Sequence, residues 1–202
     1  MDNKKDFNLA NDAIRIPYTK EVAAYCESFS CKNHDLDEFF TKDAFLYDSE
    51  LLGKTYAWVD ISNPRKILGL VTLANDSVKT HYIANSAKNR IQRSVPNAKR
   101  GINFPAVLIG RLGVATDFQG GGMRIGTQIL DFVKDWFRST DNKTGCRFIV
   151  VDAYNNPATF GFYEKNGFKP MYKTEDEERQ FLELNNKDEL QTRFMFFDLK
   201  MK

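Results

Sequence analysis

A mixed α/β (α+β) fold, one sheet with helices packed on it, is what three features of this 202-residue chain predict. The run PAVLIGRLGVA is apolar almost throughout, the pattern of a buried central strand. The stretch DFQGGGMRIGTQIL follows it and places three consecutive glycines ahead of a helix-periodic run. A further strand, CRFIVVDA, is followed by the helical stretch NNPATFGFYEKNGF, and more strand patterns lie on either side of this core.

DAIRIPYT is a short first strand. HDLDEFFTKDAFLYDSELL carries Leu36, Phe39, Phe40, Ala44 and Tyr47 at helical spacing, which predicts one amphipathic helix. KTYAWVDI and KILGLVTLA, joined through Asn63-Pro64, read as an antiparallel hairpin. Next comes a block with a plausible short helix, SAKNRIQRS, and Pro96 near its end. Within the central strand, Gly110 and Gly113 signal a bulge or the close approach of another group. Ile125, Ile129, Phe132, Val133, Trp136 and Phe137 then form the buried face of a helix ending before Asn142. After CRFIVVDA, Asn156 and Pro157 open the next helix and Asn166-Gly167 stops it. FKPMY and TRFMFFDLK supply two closing strands.

Length and composition suit one domain spanning residues 1–202, and 17 phenylalanines with 8 tyrosines indicate a filled interior. No apolar run approaches the ~20 residues needed to span a bilayer, and MDNKKDFNLAND lacks a signal-peptide apolar region. The expected compartment is the cytoplasm, with no membrane partner. Cys26, Cys31 and Cys146 are odd in number and lack metal-ligand spacing, so they read as reduced thiols and no metal is expected. The net charge of +2 hides two opposed segments. Residues 79–100 hold six cations (Lys79, Lys88, Arg90, Arg93, Lys99, Arg100) and no carboxylate. TEDEERQFLELNNKDEL is strongly acidic. Both fit solvated faces, and the basic block equally fits a polyanion.

The glycine-rich loop needs a reason, because glycine costs conformational entropy. A phosphate held by main-chain amides at a helix N-terminus supplies one. Gly120, Gly121, Gly122, Met123 and Gly126 are the candidate amides, with Gln119 and Thr127 flanking them and Arg124 adding a charge.

Taken together, RLGVA, FQGGGMRIG, the long helix, FIVVDA and NNPATFGFYEKNGF resemble the GNAT superfamily of acetyl-CoA-dependent N-acetyltransferases, over roughly residues 54–172. That family's loop reads R/Q-x-x-G-x-G/A. Its later helix carries an Asn near the start, a Tyr seven residues on and a terminal Gly-Phe, which Asn156, Tyr163, Gly167 and Phe168 match. The loop departs from the pattern. Counted forward, Gln119 and Gly122 take the first and fourth positions and Arg124 stands where Gly or Ala is expected. Counted backward, Gly126 is last and Arg124 fourth. A narrower resemblance lies upstream, where Phe29, Cys31, Leu36, Asp37 and Phe39 match the opening of GNAT toxins from bacterial toxin–antitoxin pairs, which acetylate aminoacyl-tRNA.

The resemblance implies a mostly antiparallel sheet of about six to seven strands, splayed at a bulged central strand, with helices on both faces. It implies acetyl-CoA as cofactor, with its pantetheine arm bonded to the backbone of Leu112, Gly113 and Val114. Tyr163 is then the catalytic residue, a phenol of pKa ~10 protonating a departing thiolate whose conjugate acid has a pKa of ~8.5. Asn156 either bonds the cofactor arm or caps its helix. No general base stands out; Asp152 and Glu164 lie in no diagnostic motif. Aminoacyl-tRNA is the expected acceptor, with Lys88, Arg90, Arg93, Lys99 and Arg100 along its phosphates, and an antitoxin and a second copy of the chain are candidate partners. The alternatives are a free-standing GNAT acting on a small-molecule or protein amine, and a non-catalytic acyl-CoA-binding module.

Overall fold

The computed structural model describes residues 7–79, 103–120, 122–185 and 188–200. Its strands are β1 (Ala13–Pro17), β2 (Lys54–Asp60), β3 (Ile67–Lys79), β4 (Asn103–Val114), β5 (Phe148–Tyr154), β6 (Lys169–Pro170) and β7 (Thr192–Asp198). They form one sheet in the order β1-β2-β3-β4-β5-β7-β6. The sheet is mixed and mostly antiparallel, as predicted, with β1/β2, β2/β3, β5/β7 and β6/β7 all antiparallel. The helices are α1 (Leu9–Asp12), α2 (Lys20–Tyr25), α3 (His34–Glu38), α4 (Ala44–Ser49), α5 (Ile125–Arg138), α6 (Pro157–Lys165) and α7 (Glu175–Phe181). Among the described residues no helix is long and apolar enough to cross a membrane. By packing, the chain groups into two compact units, Met1–Ala74 with Ile109–Trp136, and Asn75–Leu108 with Phe137–Lys202.

In the first unit the helix expected from His34 onward is not regular. A π-helical turn, Phe39–Asp43, separates α3 from α4. The wider turn lets two adjacent aromatics, Phe39 and Phe40, both point into the core beside Ala44, Ala57 and Leu70. Tyr47, expected on the buried stripe, is exposed and meets Phe39's ring edge-on, 5.1 Å between centroids. In α5 the inward residues are Ile125, Ile129, Leu130, Val133 and Lys134. Phe132 and Trp136 lie at the flank instead, packed edge-on against Trp58 and Tyr56, with the Arg15 guanidinium 4.2 Å from the Trp136 ring centroid. Their size lets them cover the helix–sheet seam from the side while smaller residues fill its centre.

Gly113 shows which of the two reasons for a strand glycine applies. A Cβ there would lie 2.9 Å from Cε2 of Phe40, 3.3 Å from Cζ of Phe29 and 3.4 Å from Sγ of Cys31. The requirement is close approach. At Gly110 the nearest atom would be 3.8 Å away. Gly113→Ala is therefore expected to lower stability by about 1–3 kcal/mol through overpacking, and Gly110→Ala to stay within ~0.5 kcal/mol. Denaturant midpoints at unchanged m-value would check both.

The second unit has its own core of Val78, Phe104, Ala106, Phe148, Val150 and Met171. The acidic stretch is largely exposed, as a solvated face would be, with one carboxylate buried. It forms α7, capped by Thr174, whose hydroxyl accepts from the Glu177 N–H. Glu178 is buried rather than solvated, and its carboxylate accepts from Arg193 Nε at 2.6 Å and from the Phe194 N–H at 2.5 Å. A charge this deep is tolerable only because both oxygens have donors.

Candidate active site

The first unit carries the loop. After β4, Ala115 donates its N–H to Leu68, and a 3₁₀ turn, Thr116–Phe118, leads into the glycines. Gly120, Gly122 and Arg124 all have positive φ (70°, 86° and 53°), at alternate positions directly before α5. Gly121 lies outside the described residues. Met123 and Ile125 are buried while Gly122 and Arg124 are exposed, so side chains anchor the loop at every second residue and leave the backbone between them open. Left-handed residues alternating along a segment turn its amides toward one side, the arrangement that binds anions.

The helix adds donors. The Gln128 N–H bonds Arg124's carbonyl, but by helix geometry the N–H groups of Ile125, Gly126 and Thr127 have no intrahelical acceptor. Arg124 precedes them and is not a capping residue type. Arg124 also accounts for the departure from the family's loop pattern. It adopts the left-handed conformation that glycine takes freely, at a cost of about 1–2 kcal/mol for a residue with a Cβ. Its exposed side chain puts a positive charge within this run of amides.

Two glutamines hold the ends of the loop. At its start, Gln119 Nε2 donates to the carbonyls of Cys31 and Val114, both at 2.8 Å, and its N–H bonds Thr116's carbonyl. Gln119's amides therefore face the protein. At its end, Gln128 Nε2 donates to Met123's carbonyl at 2.7 Å and to Phe7's at 3.0 Å, while its Oε1 accepts from the Leu9 N–H. Sequence reasoning missed Gln128. The available signal was a polar residue three positions after Ile125, on the half-buried side of the helix. Leu112 and Val114 are half-buried, and Gly113 is buried between them.

The second unit carries Tyr163, on α6. The Asn156 side chain accepts from the Thr159 N–H at 2.9 Å and so caps the helix, and Pro157 occupies the first turn. At the other end the Phe168 N–H bonds Tyr163's carbonyl, the Gly167 N–H bonds Glu164's, and Gly167 has φ +83°. This is a Schellman closure, whose usual apolar contact is here the Tyr163–Phe168 ring pair, 5.3 Å between centroids. The spacing from Tyr to Gly-Phe thus holds the tyrosine at a defined place in the last turn. Tyr163 is 6% exposed, and its hydroxyl makes no hydrogen bond to another described residue. Burial pushes its pKa well above the ordinary phenol value, so the phenol stays protonated across physiological pH. Relative to the free phenol, the gap to a thiolate widens rather than closes. Asp152 and Glu164 are both exposed.

All three cysteines are free thiols. Burial, and next the Asp37 carboxylate, pushes Cys31 up to about 11. A raised pKa keeps the reactive thiolate scarce at neutral pH. Alkylation of native Cys31 is accordingly expected to be slow at pH 8 and to climb with pH without a plateau below about 11, measured by mass spectrometry after timed iodoacetamide exposure. The basic residues Lys88, Arg90, Arg93, Lys99 and Arg100, and the helix expected beside them, lie outside the described residues.

Among solved structures, the chain is similar to AtaT complexed with acetyl-methionyl-tRNAfMet, with 21% identity and a TM-score of 0.66 over 94% of this chain and 96% of that one. It is similar to a Tyr-to-Phe mutant of KacT at 19% identity and a TM-score of 0.66, over 94% and 96% of the two chains. A Tyr-to-Phe mutant of the AtaT toxin, bound to the C-terminus of the antitoxin AtaR and acetyl-CoA, matches at 19% identity and a TM-score of 0.62, over 94% and 95%. No curated protein matches the chain. The family model for GNAT acetyltransferases matches residues 22–168, from within α2, well upstream of the expected start of the resemblance, to the Gly-Phe that closes α6. The chain belongs to the acetyltransferase (GNAT) family.

Proposed function

We propose that this GNAT acetyltransferase transfers the acetyl group of acetyl-CoA to the α-amine of aminoacyl-tRNA in the cytoplasm, as a toxin restrained by an antitoxin protein. The observation that carries the choice of acceptor is the extent of the likeness to AtaT, 94% of this chain. The upstream segment with Phe29, Cys31, Leu36, Asp37 and Phe39, which resembles the opening of such toxins, supports the same choice, and it falls inside the family model's match to residues 22–168.

Acetyl-CoA supplies an acyl group already activated as a thioester. The chain's residues do the rest. The amides of Gly120, Gly121, Gly122, Met123 and Gly126, with Thr127 and the Arg124 guanidinium, hold the diphosphate, and the backbone of Leu112, Gly113 and Val114 aligns the arm. The Tyr163 phenol, kept protonated by burial, gives its proton to the departing sulfur and recovers one from water. The acceptor amine loses its proton to water. An aminoacyl ester's amine is appreciably less basic than the ~10.4 of lysine, so it needs no dedicated carboxylate.

Radiolabelled acetyl-CoA incubated with the full chain and bulk aminoacyl-tRNA tests this. The expected result is label on the esterified amino acid, at a rate that falls steeply as salt rises. Label passing instead to a small-molecule or protein amine, without such salt dependence, would replace the acceptor. Cofactor binding with no transfer to any amine would make the chain a binding module.

A further inference from the structure

We propose that Asp37 is a positioning residue for cofactor binding, acting on the glycine-rich loop through a relay of Ser30, Cys31 and Gln119. The inference rests on the acetyl-CoA reading above and assigns work to residues that reading leaves idle.

Asp37 lies on α3 and meets a short irregular segment with both carboxylate oxygens. Oδ1 accepts the Cys31 N–H and Oδ2 accepts the Ser30 hydroxyl, each at 2.7 Å. Desolvation works against the ionised form, but these bonds, the Cys31 thiol and His34 outweigh it and hold the carboxyl below its usual range. With its amide and hydroxyl fixed, the segment presents its carbonyls outward. Ser30's carbonyl accepts both the N–H and the hydroxyl of Thr116, at 2.9 and 3.0 Å. Cys31's carbonyl accepts Gln119 Nε2 at 2.8 Å, and the same amide bridges to Val114's carbonyl at 2.8 Å.

The relay therefore grips the chain at both ends of the turn between β4 and the loop, Val114 on one side and Gln119 on the other. Phe29 and Cys31 also pack on Gly113, so one segment braces the strand and the loop at once. Lys32, the next residue, has φ 61°, which turns the chain into α3 and brings Asp37 back onto residues 30 and 31. Gln119 then serves to orient the amides of Gly120 and Gly122 rather than to contact the cofactor itself. A loop whose amides must converge on one anion gains affinity from being held in advance.

A double-mutant cycle tests the relay, using acetyl-CoA itself as the probe. The variants are Asp37→Asn, Gln119→Met and the pair of them, each assayed for acetyl-CoA Kd by calorimetry, for kcat and KM, and for thermal midpoint. Each single change should weaken acetyl-CoA binding roughly tenfold, the scale of one or two lost hydrogen bonds, with kcat within about twofold. The double variant should be no weaker than the worse single one, because both break the same chain of contacts. If Asp37→Asn does not fold, Ser30→Ala replaces it in the cycle. Binding left intact in the single variants, or a double variant near a hundredfold, the additive outcome, would overturn the relay while the wild type still binds. A wild type that binds no acetyl-CoA would instead remove the proposed function, and the relay with it.

Discussion

Replacing Tyr163 by phenylalanine is expected to lower kcat by roughly 10²–10⁴, the range for loss of a positioned general acid, with little change in acetyl-CoA affinity. The ring contacts to Phe162 and Phe168 do not involve the hydroxyl, so the variant should fold as the parent does. The hydroxyl bonds no described residue, so its removal leaves no partner unsatisfied there. Stability should stay level or rise slightly. Any structural role for the phenol would reverse this pattern, lowering the thermal midpoint and sparing turnover. Steady-state kinetics with a free-thiol readout, beside a melting curve, separates the two. Under the proposed function, the same variant should also relieve the growth arrest that expression of the parent chain is expected to cause.

Glu178→Ala should be the most damaging change to the fold of the second unit, costing about 3–5 kcal/mol. The loss is more than one ion pair. Arg193 would remain buried with only a longer contact to Glu175, 3.6 Å, and the Phe194 N–H would lose its acceptor. Arg193 also lies 5.5 Å from the ring centroid of Phe160 on α6, so its displacement would disturb the helix that carries Tyr163. Glu178→Gln keeps the shape and some of the bonding and should cost less. Hydrogen exchange at β5 and β7 would locate the damage, with protection lost there first in the alanine variant.

What could be read from the sequence is what short-range rules specify. Helix α6 is the best case. Its start is a side-chain cap and a proline, its end a left-handed glycine, and each acts within a few residues. The strands of the β2–β3 hairpin were likewise visible from their patterns and the turn between them. The π turn was not, because two adjacent phenylalanines satisfy a regular helical stripe as well as an irregular one. The burial of Glu178 within an otherwise exposed acidic segment was hidden for a different reason, since its buried partner lies 15 residues away on another element. In the candidate site the glycines were conspicuous and their braces were not. Gln119 and Cys31 are 88 residues apart, and Gln128 and Phe7 are 121 apart. No local pattern announces such contacts.

Calorimetric titration of the purified chain with CoA and with acetyl-CoA decides whether the open amides between β4 and α5 hold the cofactor's diphosphate. Both ligands should bind, and Gly122→Val, at a φ of 86° that a branched side chain resists, should abolish the heat of both. A wild-type chain that gives no binding heat with either ligand, or a Gly122→Val variant that binds as the parent does, would contradict the account.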